Sequence, residues 1–201
     1  MPIQRAKPRL VDLDQTPLTS VAASDMPAGS VIKSETKIIS AFGNTTISTA
    51  NTFQDLSGTE VSFTRSVATS KILGLWNVKG TTGGNIKLRL NRKIGSGSYA
   101  VVNNGASGTQ GGRTSAVQVW GAYHDLVNTN AMAYGIHAFQ YTFLDESGEG
   151  LSDTTDAISY KISLSGSANT NVFSLNIDNY NSATNYNKTT ESSVTFLEIK
   201  V

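Results

Sequence analysis

The sequence predicts an all-β protein: an antiparallel β-sandwich or jelly roll behind an extended N-terminal arm. Three observations predict it. Apolar and polar residues alternate with a period of two in short runs along most of the chain. Ser, Thr, Asn and Gly make up 81 of the 201 residues and gather in turns between those runs. No stretch reads as a convincing helix, and a bundle or coiled coil would need far more Ala, Glu, Lys and Leu.

Residues 1–30 differ from the rest. They hold all four prolines, Pro2, Pro8, Pro17 and Pro27. Proline fixes φ and removes a donor, which biases the stretch toward extended conformations. Arg5, Lys7 and Arg9 are followed by Leu10-Val11-Asp12-Leu13-Asp14. Such a segment buries too little to fold alone. The apolar Leu10, Val11 and Leu13 favour an arm that docks on another protein over a solvated tail. Residues 31–201 are then the folded body.

Within the body, residues 86–94 give the clearest strand. Ile86, Leu88, Leu90 and Ile94 fall on one face, and Lys87, Arg89, Asn91 and Lys93 on the other. Ile158, Tyr160, Ile162 and Leu164 repeat the pattern, as do Phe173, Leu175 and Ile177. Residues 136–144 set His137, Phe139, Tyr141 and Phe143 against Ile136, Ala138 and Leu144, which reads as a strand buried on both sides. Residues 71–79, 116–123 and 193–201 read as strands, and 38–42 and 59–64 as weaker ones. Gly80–Gly84, Gly95–Ser98, Asn103–Gly108 and Asp145–Gly148 supply the turns. Residues 103–115 and 178–192 read as long loops, which in a compact domain are functional or disordered.

Composition excludes several chemistries. The chain has no Cys, so no disulfide framework, thiolate nucleophile or Cys-ligated zinc. Its two His, His124 and His137, are thirteen apart, too far for a His-Glu-x-x-His site. No serine has Gly two residues away on both sides, so there is no nucleophile elbow. No Gly-Lys pair exists to cradle a phosphate. Asp145, Glu146, Glu149 and Asp153 cluster in one turn. Their spacing fits no defined calcium loop, and a solvated acidic hairpin is the expected reading. No cofactor or metal site is expected. Trp76 and Trp120 lie in predicted strands and read as core. Tyr180 and Tyr186, in an Asn-rich loop, have the amphipathic character of contact residues; packing back on the sheet is the alternative.

Charge is uneven. Residues 61–124 carry eight basic side chains and no acidic one, against a net charge of +1 for the whole. Strands distant in sequence interleave in a sandwich, so these charges are expected to mix in space. The basic region lacks interleaved aromatics and the pI is near 7.9, so no nucleic-acid partner is expected. No apolar run approaches the roughly 18–20 residues of a membrane span, and the first residues lack the apolar core of a secretory signal.

Several phrases, in order over about residues 26–201, give the chain a resemblance. They are Met26-Pro-Ala-Gly-Ser-Val-Ile32, Thr52-Phe-Gln-Asp-Leu-Ser57 and Ser66-Val-Ala-Thr-Ser-Lys-Ile-Leu73. Leu88-Arg89-Leu90-Asn91-Arg92, Phe139-Gln-Tyr-Thr-Phe-Leu-Asp145, Ile158-Ser-Tyr-Lys-Ile162 and Thr195-Phe-Leu-Glu-Ile199 follow. The chain resembles small virion structural proteins of tailed bacteriophages, described as tail-fibre-like. It departs from them after Lys-Ile-Leu, where Gly74, Trp76 and Asn77 replace a hydrophobic stretch.

The resemblance implies a jelly-roll body similar to tumour-necrosis-factor-like domains, a homotrimer, and no catalytic residues. On it, Arg5, Lys7, Arg9, Leu10, Val11 and Leu13 are expected to anchor the arm to another virion protein. Phe139, Tyr141 and Phe143 are the expected trimer face, with the last strand, residues 193–201, beside it and the monomer's own core as the alternative. Arg113, Tyr180 and Tyr186 mark loops expected to meet a host-surface glycan or protein. The protein would be made in the host cytoplasm and sit on the virion surface. A tail-fibre-like appendage is the first expectation and a capsid decoration protein the second. A carbohydrate-active enzyme, which needs two carboxylates across a cleft, is a third.

Overall fold

The computed structural model describes residues 22–82, 86–102, 109–110, 113–114, 119–122, 136–147, 150–169, 171–177 and 190–201. Among them the only helical element is a 3₁₀ turn at Ala23–Asp25; the rest of the regular structure is strand. The first half gives β1 (Val31–Ile39), β2 (Gly43–Thr46), β3 (Gln54–Asp55), β4 (Val61–Phe63), β5 (Lys71–Thr82), β6 (Ile86–Ile94) and β7 (Ala100–Val101). The second gives β8 (Thr109–Gln110), β9 (Arg113–Thr114), β10 (Val119–Ala122), β11 (His137–Asp145), β12 (Ile158–Gly166), β13 (Val172–Leu175) and β14 (Ser192–Ile199).

The pairing is antiparallel throughout. In the first sheet β14 and β13 lie in line along one side of β5, opposite its residues 71–77 and 80–82, and β11 takes the other side. β1 and β2 lie in line beyond β14 and β13. In the second sheet β6 has β12 on one side and β10 and β7 in line on the other, with β3 and β4 beyond β12. Merging the in-line pieces leaves eight strand positions. In chain order they run 1-8-3-6 in one sheet and 2-7-4-5 in the other. This is the jelly-roll order, two four-stranded sheets closed on one core. β8 and β9 form a separate ribbon.

Several predicted strands prove to be pieces of one position. Runs 171–177 and 193–201 supply two strands, β13 and β14, in line at one position beside β5. Asn176 holds the break with a left-handed φ of 58°. Its Nδ2 donates to the Ile39 carbonyl at 2.6 Å and the Ala41 carbonyl at 2.8 Å, and its Oδ1 accepts from Ser192 Oγ at 2.6 Å. Asparagine tolerates this backbone region and serves the carbonyls freed where β1 ends. Of the predicted strand 38–42 only Ile38 and Ile39 are strand, the end of a longer one beginning at Val31, while residues 40–42 form the break before β2. The charged start of that longer strand hid it: Lys33 turns inward, its Nζ 4.5 Å from the Phe63 ring centre and 2.6 Å from the Thr64 carbonyl.

The core joins Ile72, Trp76, Val78, Leu88, Leu90, Ile158, Ile162, Leu164, Val194 and Phe196 between the sheets. At one end the aromatics form a chain. Phe63 and Tyr160 each lie 5.3 Å from Phe196, Trp76 meets it edge-on at 6.4 Å, and Phe143 lies 5.3 Å from Tyr160. Trp76 is thus a core residue, as its strand position suggests. Gly74 is set by the same packing. A Cβ there would come within 2.0 Å of the Phe143 ring, its cross-strand partner.

Candidate assembly surface

The side of β11 expected to face a neighbouring subunit points inward. Phe143 is buried, Phe139 and Tyr141 are half-buried against the core, and Phe139 packs 5.8 Å from Phe173. The reason is parity. Gly74 lies directly opposite Phe143 and admits its ring beneath the sheet, so His137, Phe139, Tyr141 and Phe143 share the core side. The alternative reading of these three residues, the monomer's own core, is the one the packing fits.

The opposite parity is where the surface becomes unusual. An antiparallel sheet with one wet face carries polar residues there. The outer face of the first sheet sets, among uncharged polar residues, Leu73 and Leu75 on β5, Leu197 and Ile199 on β14, and Leu144 on β11. Leu197, Leu73 and Leu144 stand directly opposite one another on three adjacent strands, with Ser34 on the fourth. The next row is Thr36, Thr195, Leu75 and Thr142, in which the Thr36 and Thr195 hydroxyls meet at 2.9 Å. A third row is Ile38, Ser193, Asn77 and Gln140. Leu75 is 39% and Ile38 55% exposed. None of these twelve positions is charged. Charges begin at the margins, where Lys71 pairs with Glu146 at 2.6 Å and Lys79 Nζ reaches Thr190 Oγ1 at 3.3 Å.

The outer face of the second sheet is different in kind. Lys87, Arg89, Lys93 and Lys161 lie on it. Lys161 Nζ sits 3.8 Å and Lys93 Nζ 4.9 Å from the Tyr99 ring centre, and the Arg89 guanidinium 4.0 Å from that of Phe53. Lys161 pairs with Asp55, and Lys93 with Glu60 at 3.6 Å. Lys93 of the basic run 61–124 thus meets an acid from the preceding segment, as interleaving requires. Cations already cover these rings, so they offer no stacking platform.

One end of the sandwich holds buried charge. The Asp145 carboxylate accepts from Arg92 and from the Tyr160 hydroxyl at 2.7 Å. Burial pushes this carboxyl up from its ordinary range, with Arg92 opposing. Arg65 donates to the carbonyls of Ser70 and Thr154, both at 2.7 Å, and of Ser152. Glu198 accepts from the Ser66 and Val67 amides at 2.8 Å and from Ser70 Oγ at 2.6 Å. Burial alone would raise the Glu198 carboxyl, but these donors outweigh it and hold it below its usual range. The cluster latches the segments at 64–70 and 150–157 to β14. Both carboxylates are engaged by protein donors, Asp145 by Arg92 and Tyr160 and Glu198 by Ser66, Val67 and Ser70.

The predicted acidic hairpin is divided by the same arrangement. Asp145 joins the latch, Glu146 pairs with Lys71, and Glu149 lies outside the described residues. Among the described residues no group of three or more His, Asp and Glu side chains could hold a metal. Arg5, Lys7, Arg9, Leu10, Val11, Leu13, Tyr180, Tyr186 and His124 lie outside the described residues; Arg113 falls in β9 without a described side chain, as Trp120 does in β10. Sequence reasoning passed over Leu73, Leu75, Leu197 and Ile199. The available signal was apolar residues at both parities in Ile72–Trp76 and Phe196–Ile199.

No protein-family model matches this chain, and no curated protein does. Solved structures of infectious bursal disease virus are similar to this chain at low identity. The Gx strain structure matches at 11% identity over 85% of this chain and 43% of that one, with a TM-score of 0.37. The T13 viral particle matches at 10% identity over 86% and 37%, with a TM-score of 0.41. The VP2 subviral particle matches at 10% identity over 85% and 42%, with a TM-score of 0.38. The chain therefore spans less than half the length of each. At such scores the likeness carries no functional information.

Proposed function

We propose that this chain is a non-enzymatic virion structural protein, a trimeric, tail-fibre-like surface appendage. Residues 31–201 form its jelly-roll body, and Arg5, Lys7, Arg9, Leu10, Val11 and Leu13 anchor its arm to another virion protein. Loops bearing Arg113, Tyr180 and Tyr186 contact a host-surface glycan or protein. The observation that carries the reading is the uncharged outer face of the first sheet, where leucines stand at positions a solvated sheet gives to polar residues. Such a face belongs to a protein that works assembled. The bacteriophage setting rests on the resemblance of the ordered phrases. A second reading is a capsid decoration protein whose arm lies across the shell.

Deleting residues 1–21 tests the reading. Gly29 and Ser30 exchange backbone hydrogen bonds with Lys200, and the deletion leaves that junction intact. The truncated chain is expected to fold as a soluble oligomer that no longer enters particles. Normal incorporation of the truncated chain would overturn the anchoring role. Particles that lack the protein separate the two settings: lost adsorption with intact shells indicates an appendage, and shells that open at lower temperature indicate decoration.

A further inference from the structure

We infer that the outer face of the first sheet is a subunit contact and that a second copy of this chain covers it. The inference rests on the self-assembling role proposed above and assigns that role to particular residues. Size is the first argument. The four strands lie side by side over about six residues, Ile72–Asn77 on β5, which at ~4.8 Å between strands and ~3.3 Å per residue gives roughly 380 Å² in plan, and side-chain relief raises the accessible area toward the ~600 Å² per partner of the smaller specific interfaces.

Charge is the second argument. The three rows centred on Leu73, Leu75 and Asn77 hold no ionisable side chain, so this face packs against neighbouring copies around a shared axis without like-charge repulsion. The nearest margin offers both signs, Lys71 beside Glu146. An anionic partner such as nucleic acid or a lipid headgroup would call for a basic face, which this is not. The outer face of the second sheet sets Lys87, Arg89, Lys93 and Lys161 against Asp55 and Glu60, an excess of positive charge that opposes its own copy. Parity is the third argument. Leu197, Leu73 and Leu144 form an apolar row across three adjacent strands, and the exposed Leu75 extends it on β5 between Thr195 and Thr142. The contact uses the side of β11 opposite to Phe139, Tyr141 and Phe143.

The chain has no cysteine, so single cysteines report proximity cleanly. Sedimentation of the full-length protein is compared with Leu75→Glu, and Leu75→Cys and Lys87→Cys are exposed to a short bis-maleimide. The wild type is expected above the 21.3 kDa of one chain. Leu75→Glu, exposed enough to fold unchanged by circular dichroism, is expected to weaken association about 30-fold or more, the scale of a central hot spot. Leu75→Cys is expected to cross-link to itself and Lys87→Cys is not. An oligomer whose mass Leu75→Glu leaves unchanged, with Leu75→Cys uncross-linked, would overturn the assigned face and leave the virion role standing. A wild-type monomer at 100-µM-scale concentration (on the order of the weakest specific interfaces) would overturn the inference as well; failure of the truncated chain to alter incorporation overturns the anchoring role instead.

Discussion

Gly74→Ala adds one methyl group where the structure has no room for it. The new Cβ would sit 2.0 Å from Phe143 Cε1, 2.5 Å from Cζ and 2.8 Å from Cδ1. Ordinary carbon contacts begin near ~3.5 Å, so the ring would have to retreat by more than an ångström. It has nowhere to go: Phe143 is 2% exposed, with Tyr160 at 5.3 Å and Tyr141 stacked at 6.2 Å. The backbone at Gly74 is not left-handed, so no relief or cost comes from φ. Overpacking of this kind costs about 1–3 kcal/mol, and the hemmed ring places the value at about 2–3 kcal/mol. Urea unfolding at fixed protein concentration measures it through the midpoint, with the slope checked for constancy. Combining Gly74→Ala with Phe143→Leu frees the space, so the pair should cost less than the two single changes together. A Gly74→Ala midpoint within about 0.5 kcal/mol of wild type would refute the packing argument.

Two further outcomes follow from the polar interior. Glu198 is held below its ordinary value, so it contributes stability above the unfolded carboxylate value of about 4.3 and loses it as pH falls through its folded value. Asp145, raised by burial, works in the opposite sense on acidification. Glu198→Gln should therefore flatten the acid limb of the melting-temperature profile and cost about 1–3 kcal/mol at neutral pH, since an amide cannot accept from all three donors; an acid limb as steep as wild type would count against it. Asn176→Ala removes the donors to the Ile39 and Ala41 carbonyls and the asparagine tolerance for a φ of 58°, an expected loss of about 2–3 kcal/mol by thermal or urea unfolding.

The fold class was legible because period-two alternation is a local property. Ile86–Ile94 and Ile158–Leu164 announce one buried and one wet face, and they pair with each other at the centre of the second sheet. Strand merging was not legible. Nothing local says that Leu175 and Ser192 belong to one strand position, because the link runs through Asn176 to carbonyls 137 and 135 residues away. The side of β11 that meets the core was equally hidden. Phe139, Tyr141 and Phe143 announce an apolar face, but Gly74 on another strand decides which way it turns. The assembly surface was half visible: leucines at both parities of 72–75 require two apolar environments, and only the sheet register shows that one of them faces outward. The charge latch was not legible, because Arg65, Asp145 and Glu198 meet only once the jelly roll closes.

The most direct test of the account is an electron cryomicroscopy map of the intact particle with this chain located in it. The account predicts copies clustered at the particle surface, the outer faces of their first sheets turned toward one another and residues 1–21 engaged with a different virion protein. Absence of the chain from the particle, or isolated copies with Leu73, Leu75 and Leu197 facing solvent, would contradict it.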